Sequence, residues 1–294
     1  MIEDVQDLSL GGLMPVARDL RLVFDENADD YDAVHLAYPA ALIRALLERT
    51  ELAQGARVLE VGCGTGQFTT LLAQEGLALT AIELGANLSR LAAAKLKGYP
   101  DVEVVHADFE VWEPKPHAYD LVVSAQAFHW IRPEIGYPKV HRALRSGGTL
   151  ALIWNLEGGS DTPLHRSLED VYELLAPRMT SKSVRYWLEL HVWRILGLIN
   201  SSERFMVPEI LRFPWWMRYS SEAYLQLLRM LSDHLALRSS DRQALLDVVR
   251  QAIDGHGGTI ERSMVSLLFL TKPRANAAAG PSPRAFFTRR PRSA

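Results

Sequence analysis

An α/β fold with a mostly parallel sheet is predicted, on three observations. Short apolar runs recur between residues 58 and 154, separated by helical stretches. The runs are nearly continuous rather than alternating, as strands covered on both faces read. A glycine-rich turn, Gly62-Cys63-Gly64-Thr65-Gly66, follows the first run directly. Strands alternating with helices close as parallel sheets with right-handed crossovers, so the loops after the strands share one edge, where ligands bind.

The elements follow in order. Residues 58–61 are a short apolar strand and 67–75 read as a helix. A second strand covers 78–83 and a second helix 88–97. Strands at 102–106 and 120–124 come next. Residues 133–145 are helical, Ser146-Gly147-Gly148 turn the chain, and 149–154 form the fifth strand.

Beyond Gly158 the pattern changes. Helical periodicity covers 163–176, 183–199, 224–235 and 241–254, the last closed by Gly255. Residues 206–219 look strand-like and 264–270 are a final strand, which completes seven. Trp215 and Trp216 are large apolar anchors suited to a core or a lid. The expected organisation is an N-terminal extension helix in 1–23, a ligand-binding core at 24–157 and a mostly helical substrate cap inserted at 158–240. The last helix and strand of the core take 241–273, and a flexible basic tail 274–294. Residues 13–22 read helical with Pro15 in the first turn. So short a helix needs a docking surface, and a homo-oligomer contact is the expected one.

Composition narrows the classes. Of 294 residues, 48% are hydrophobic and 23% charged, enough for a full core. One cysteine, Cys63, excludes an internal disulfide framework and suits a reducing cytoplasm, and reads as a small packing residue. The opening MIEDVQDLSL is acidic where a secretory leader is basic, and no run approaches a membrane span. Net charge is −3, which argues against broad nucleic-acid binding. From Lys272 onward there are six basic and no acidic residues; the remainder holds 26 basic against 35 acidic, about −9. The nine histidines are dispersed, with no H-x-x-x-H pair, so no metal is expected.

The glycine turn carries the chemistry. A dinucleotide fingerprint, G-x-G-x-x-G/A, needs a small sixth residue. Here that residue is Gln67, and the spacing is G-x-G-x-G with Glu60 two residues before it. A carboxylate there repels a pyrophosphate and suits a cationic ligand without phosphate. S-adenosylmethionine (SAM), with an ammonium and a sulfonium, meets that description.

In EVGCGTG, in TAIELG at 80–85, in HADFE at 106–110, in YDLVVS at 119–124 and in the LRSGGTL turn at 144–150, the sequence resembles the class I SAM-dependent methyltransferases. The resemblance covers roughly residues 24–155. It implies a Rossmann-like, seven-stranded, mostly parallel sheet with an antiparallel last strand and helices on both faces. It implies that Glu60, Gly62, Gly64 and Gly66 hold SAM, that Glu83 with Leu84 meets the ribose, and that Asp108 meets the adenine amine with Phe109 against the ring. Asp108 could also cap a helix, a role compatible with that contact. Gln126 falls beside the methionine part. The product would be S-adenosylhomocysteine.

The flanks are similar to the small-molecule group that includes trans-aconitate methyltransferases. That group has Y-D-x-x-R-x-x-Y-P; this chain has Tyr31-Asp32 and Tyr38-Pro39 but His35 at the arginine position, which counts against a carboxylate-rich substrate. AFHWIRP at 127–133 resembles the group's H-W after strand four. His129 there either takes a proton from an attacking hydroxyl or carbon acid, or packs the pocket and orients substrate. Tyr31, His35, Trp130, Trp154 and Asn155 are substrate-wall candidates. The expected function is methyl transfer to O or C of a small hydrophobic or aromatic molecule, in specialised metabolism. Alternatives are a SAM-binding cyclase that transfers no methyl, a carboxylate methyltransferase, and a nicotinamide oxidoreductase, which Gln67 and Glu60 disfavour.

Overall fold

The computed structural model describes residues 37–179 and 184–275, together with Asp25 and Ala28. The extension helix expected in 1–23, Tyr31, His35 and the tail beyond residue 275 lie outside the described residues.

Seven strands form one sheet: β1 (Arg57–Val61), β2 (Ala78–Glu83), β3 (Val102–His106), β4 (Tyr119–Ala125), β5 (Leu144–Glu157), β6 (Glu209–Ser220) and β7 (Thr259–Thr271). Their order is β3-β2-β1-β4-β5-β7-β6. Strands β1 to β5 pair in parallel, whereas β7 runs antiparallel to both β5 and β6. The order reverses between β1 and β4, so a crevice opens at their carboxyl ends. There the Ser124 hydroxyl donates to the Val61 carbonyl at 2.7 Å and ties the two strand ends together.

Adjacent strand residues feed opposite cores, as a pleated sheet requires. Val58, Leu79, Leu121 and Ile153 pack against α1 (Ala40–Thr50), α2 (Gln67–Gln74) and α3 (Ala86–Leu96). Leu59, Val122, Leu152 and Trp154 pack on the other face, against α4 (Pro133–Ala143) and α6 (Val184–Ser201). Between those two helices the chain forms α5 (Pro163–Leu175), started by Thr162, whose side chain accepts the His165 N–H, with Pro163 in the first turn.

The residues of the expected cap divide between two hydrophobic clusters. Helix α6 presents Val192, Ile195 and Ile199 to the sheet and belongs to the core. Strand β6, also inside the expected insertion, is the sheet edge, where Pro214 is tolerated because an edge strand need not donate on its outer side. Conversely α9 (Ser239–Gly255), expected to join the core, buries Leu245, Leu246 and Val249 against α5 and α7 (Ser221–Met230), with the short α8 (Ser232–Leu235) between α7 and α9. The trio α5–α7–α9 shares one hydrophobic cluster with Tyr219 of β6 and Ile260 of β7. An amphipathic period shows that a helix has a buried face; it does not show which partner covers that face.

Candidate active site

Twelve of the residues selected from sequence meet in one cavity of about 440 Å³ at the crevice: Glu60, Gly62, Gly64, Glu83, Leu84, Asp108, Phe109, Gln126, His129, Trp130, Trp154 and Asn155. That volume falls within the range of small-molecule pockets, roughly 300–1,000 Å³. Helix α6 and the end of α7 contribute His191 and Leu231, so the chain beyond Gly158 does wall the cavity.

The glycine turn is built by close approach. Gly62 has φ +74°, and a Cβ there would lie 2.3 Å from the Ala127 Cβ. Only glycine brings the ends of β1 and β4 this near. Gly66, expected to hold the cofactor, also has a structural part. It does not line the cavity; it starts α2 at φ +83°, and its missing Cβ makes room for Ala92 and Leu96 of α3.

Two acids sit under this turn. Glu83 spans it, accepting from Gly64 N at 2.8 Å through one oxygen and from Gly85 N at 2.8 Å through the other. Burial raises its pKa, and those N–H donors offset part of the rise. Glu60 is 1% exposed, and its Oε2 has no hydrogen-bond partner. Burial pushes its pKa up to about 7, with the Thr69 hydroxyl acting against the rise and the Glu83 charge adding to it. A buried carboxyl with one unpartnered oxygen, on a residue that lines the cavity, fits a cationic ligand group such as the ammonium of SAM. It does not fit a diphosphate.

The loops beyond β3 and β4 are locked to each other. Asp108 closes its own turn by accepting from Glu110 N at 2.9 Å. Lys139, buried on α4, donates to the carbonyls of Phe109, Glu110 and Trp112 at 2.8–2.9 Å. Arg132 grips Glu110 through its backbone N and its guanidinium at 2.8–2.9 Å. The Asp108–Phe109 wall and the loop carrying His129 therefore share one frame. Asp25 holds the next turn, accepting from Asn87 N and Leu88 N at the start of α3. None of Lys139, Asp25 or His191 was singled out by motif. The available signals were a lysine between buried Tyr137 and Val140, and a histidine inside an apolar helical stripe.

At the far end, Gln126 adopts φ +60°, a conformation a non-glycine residue takes only when held there. Its side-chain amide pairs with the backbone of Asn155, accepting at 3.0 Å and donating at 3.3 Å. Asn155 in turn donates to Ala37 O and accepts from Ser266. Both side-chain amides are thus engaged with protein. His129 lies on the single turn Phe128–Trp130, and its Nδ1 accepts the Trp154 indole N–H at 3.3 Å. Burial, then His191 and Arg194, hold its pKa down to about 3. His191, 5% exposed, packs edge-on to Trp154 and has an unpartnered Nε2; burial, then Arg194, lowers its pKa to about 4. Among the described residues, no group of three His, Cys, Asp or Glu is placed to hold a metal, and no helix is long and apolar enough to cross a membrane.

Comparison with known proteins agrees with this geometry. Residues 58–148 match the methyltransferase domain family. An uncharacterized methyltransferase of Mycobacterium tuberculosis is 34% identical over 138 residues, covering 47% of this chain and 54% of the relative. A trans-aconitate 2-methyltransferase of Paracidovorax citrulli is 33% identical over 130 residues, covering 43% and 48%. The chain spans about half the length of the curated relatives it matches. Among solved structures, a candidate type II methyltransferase of Anaeromyxobacter dehalogenans superposes with a TM-score of 0.57 at 22% identity, over 80% of this chain and 95% of that one, a likeness of fold. The glycine turn, the acids beneath it and the match over residues 58–148 make this part of the chain similar to known methyltransferase domains.

Proposed function

We propose that the protein transfers a methyl group from SAM to a small molecule with an apolar or aromatic body. The orphaned carboxylate oxygen of Glu60 carries this reading, because it calls for a cation where the glycine turn admits a ligand backbone. When bound, SAM supplies a methyl group already activated on sulfonium. The chain's share is to align donor and acceptor and exclude water, which accounts for most of the acceleration in such displacements. Glu60 and the turn hold the amino-acid end, Glu83 the ribose, and Asp108 with Phe109 the base. Trp130, Trp154, Leu156 and Leu231 wall the acceptor's body.

A second reading, that the acceptor is a carboxylate, is favoured by the far end of the cavity. That end holds two imidazoles, and the acids lining the cavity are Glu60, Glu83 and Asp108, all at the cofactor end. The relative named trans-aconitate 2-methyltransferase supports it too. A carboxylate is nucleophilic as it stands and needs no base; a hydroxyl or carbon acid does. The test is transfer of label from methyl-tritiated SAM to a panel of phenols, aromatic acids and aliphatic diacids. Base-labile label on the acids supports the carboxylate reading, and label on phenols alone supports the first. No transfer to any, with binding of S-adenosylhomocysteine intact, points to the non-methylating alternative.

A further inference from the structure

The sequence leaves His129 either a base or a positioning group, and its surroundings bear on the choice. The indole N–H of Trp154 can only donate. His129 Nδ1, 3.3 Å away, must therefore be its acceptor and carry no proton. A neutral imidazole has one proton, which then sits on Nε2. Trp154 is poorly placed to yield. It is 3% exposed, lies in β5 opposite Leu267 of β7, and is wedged edge-on against Phe269 and His191. His129 is fixed as well, in a one-turn helix with Trp130 beside it at 5.0 Å between ring centroids. Burial of the ring disfavours a second proton, and so does the Arg194 charge.

We infer that Trp154 locks His129 in its Nε2–H form, so that His129 offers the substrate a hydrogen-bond donor rather than a base and selects molecules bearing an acceptor oxygen. His191, whose buried Nε2 has no hydrogen-bond partner, is a second imidazole among the residues lining this cavity. A histidine base needs the opposite arrangement, with Nδ1–H given to a carbonyl or carboxylate and a free lone pair on Nε2. The selection of substrate rests on the methyltransferase reading; the tautomer does not.

The experiment has two arms. In the first, nitrogen-15 histidine spectra of the full chain, without cofactor, report the tautomer. The expected result is a neutral Nε2–H ring for His129 from pH 8 to pH 5, shifting toward a tautomer mixture in Trp154→Phe. An Nδ1–H ring, or one that titrates between pH 6 and 7, overturns the inference. In the second, the protein saturated with S-adenosylhomocysteine is titrated with benzoate and with benzylamine. Benzoate is expected to bind in preference to benzylamine. His129→Phe should weaken benzoate about tenfold or more, and His129→Gln, which keeps an N–H but no basicity, should restore most of it. Equal binding of benzoate by wild type and His129→Phe, or a preference for benzylamine, overturns the selection. Absence of heat with S-adenosylhomocysteine would instead count against the cofactor reading and leave the tautomer result standing.

Discussion

The two ends of the cavity bury opposite kinds of group. Beneath the glycine turn, Glu60 and Glu83 have pKa values pushed up. Against Trp154, His129 and His191 have theirs pushed down. Burial is the largest cause in all four, so each end favours its uncharged form. What differs is the ligand each would welcome. A cation restores charge to Glu60, whereas an acceptor oxygen satisfies the imidazole end without charging it. On the proposed reading, that polarity would give a bound pair its direction, with the amino-acid end of the cofactor on the acids and the acceptor on the histidines.

The largest expected effect comes from breaking the acid end's frame. Gly62→Ala must leave φ +74° and clear Ala127, and should abolish S-adenosylhomocysteine binding while costing at least about 2 kcal/mol in denaturant unfolding. Lys139→Met leaves three carbonyls to find new partners and should cost about 2–3 kcal/mol, with weakened cofactor affinity and the His129 loop loosened too.

Glu60→Gln sharpens the comparison, because affinity and stability should move apart. Folded Glu60 holds its proton to about pH 7, against 4.5 in the unfolded chain. The folded state therefore binds more protons in that window, and the cost of ionising Glu60 grows as pH rises through it. The variant should be more stable than wild type above pH 7 by about 1–3 kcal/mol and equal to it below pH 4.5, while losing cofactor affinity about tenfold or more. The imidazole end has the opposite sign. His129 and His191 titrate near 3 and 4 when folded and near 6.5 when unfolded, so their contribution is full above pH 6.5 and drains away as pH falls. Unfolding curves of Glu60→Gln should therefore show a steeper acid loss than wild type. The smallest effect is Asp25→Ala, which removes the cap of α3 and should cost about 1 kcal/mol.

The same contrast explains what could be read from sequence. The acid end was legible because backbone chemistry dictates its spacing: a tight approach demands glycine at 62, and acids at 60 and 83 end two adjacent strands. The parallel strands were legible because burial on both faces leaves apolar runs such as 58–61 and 121–123. The imidazole end depends on tertiary partners. His191 sits one position before Val192 in an apolar helix, and nothing local separates a cavity wall from a core. Lys139 is hidden in the same way, since its three carbonyl partners lie about thirty residues earlier. The partners of the later helices are hidden for a related reason, because α9 shows a buried face in its sequence but not that α5 and α7 cover it.

The central claim is that a protonatable Glu60 receives the cofactor's ammonium. Titration of S-adenosylhomocysteine at pH 7 in two buffers of different ionisation enthalpy tests it most directly. The account predicts saturable binding that releases up to about half a proton, lost in Glu60→Gln. Binding without proton release, proton uptake, or heat from a nicotinamide dinucleotide but none from S-adenosylhomocysteine would contradict it.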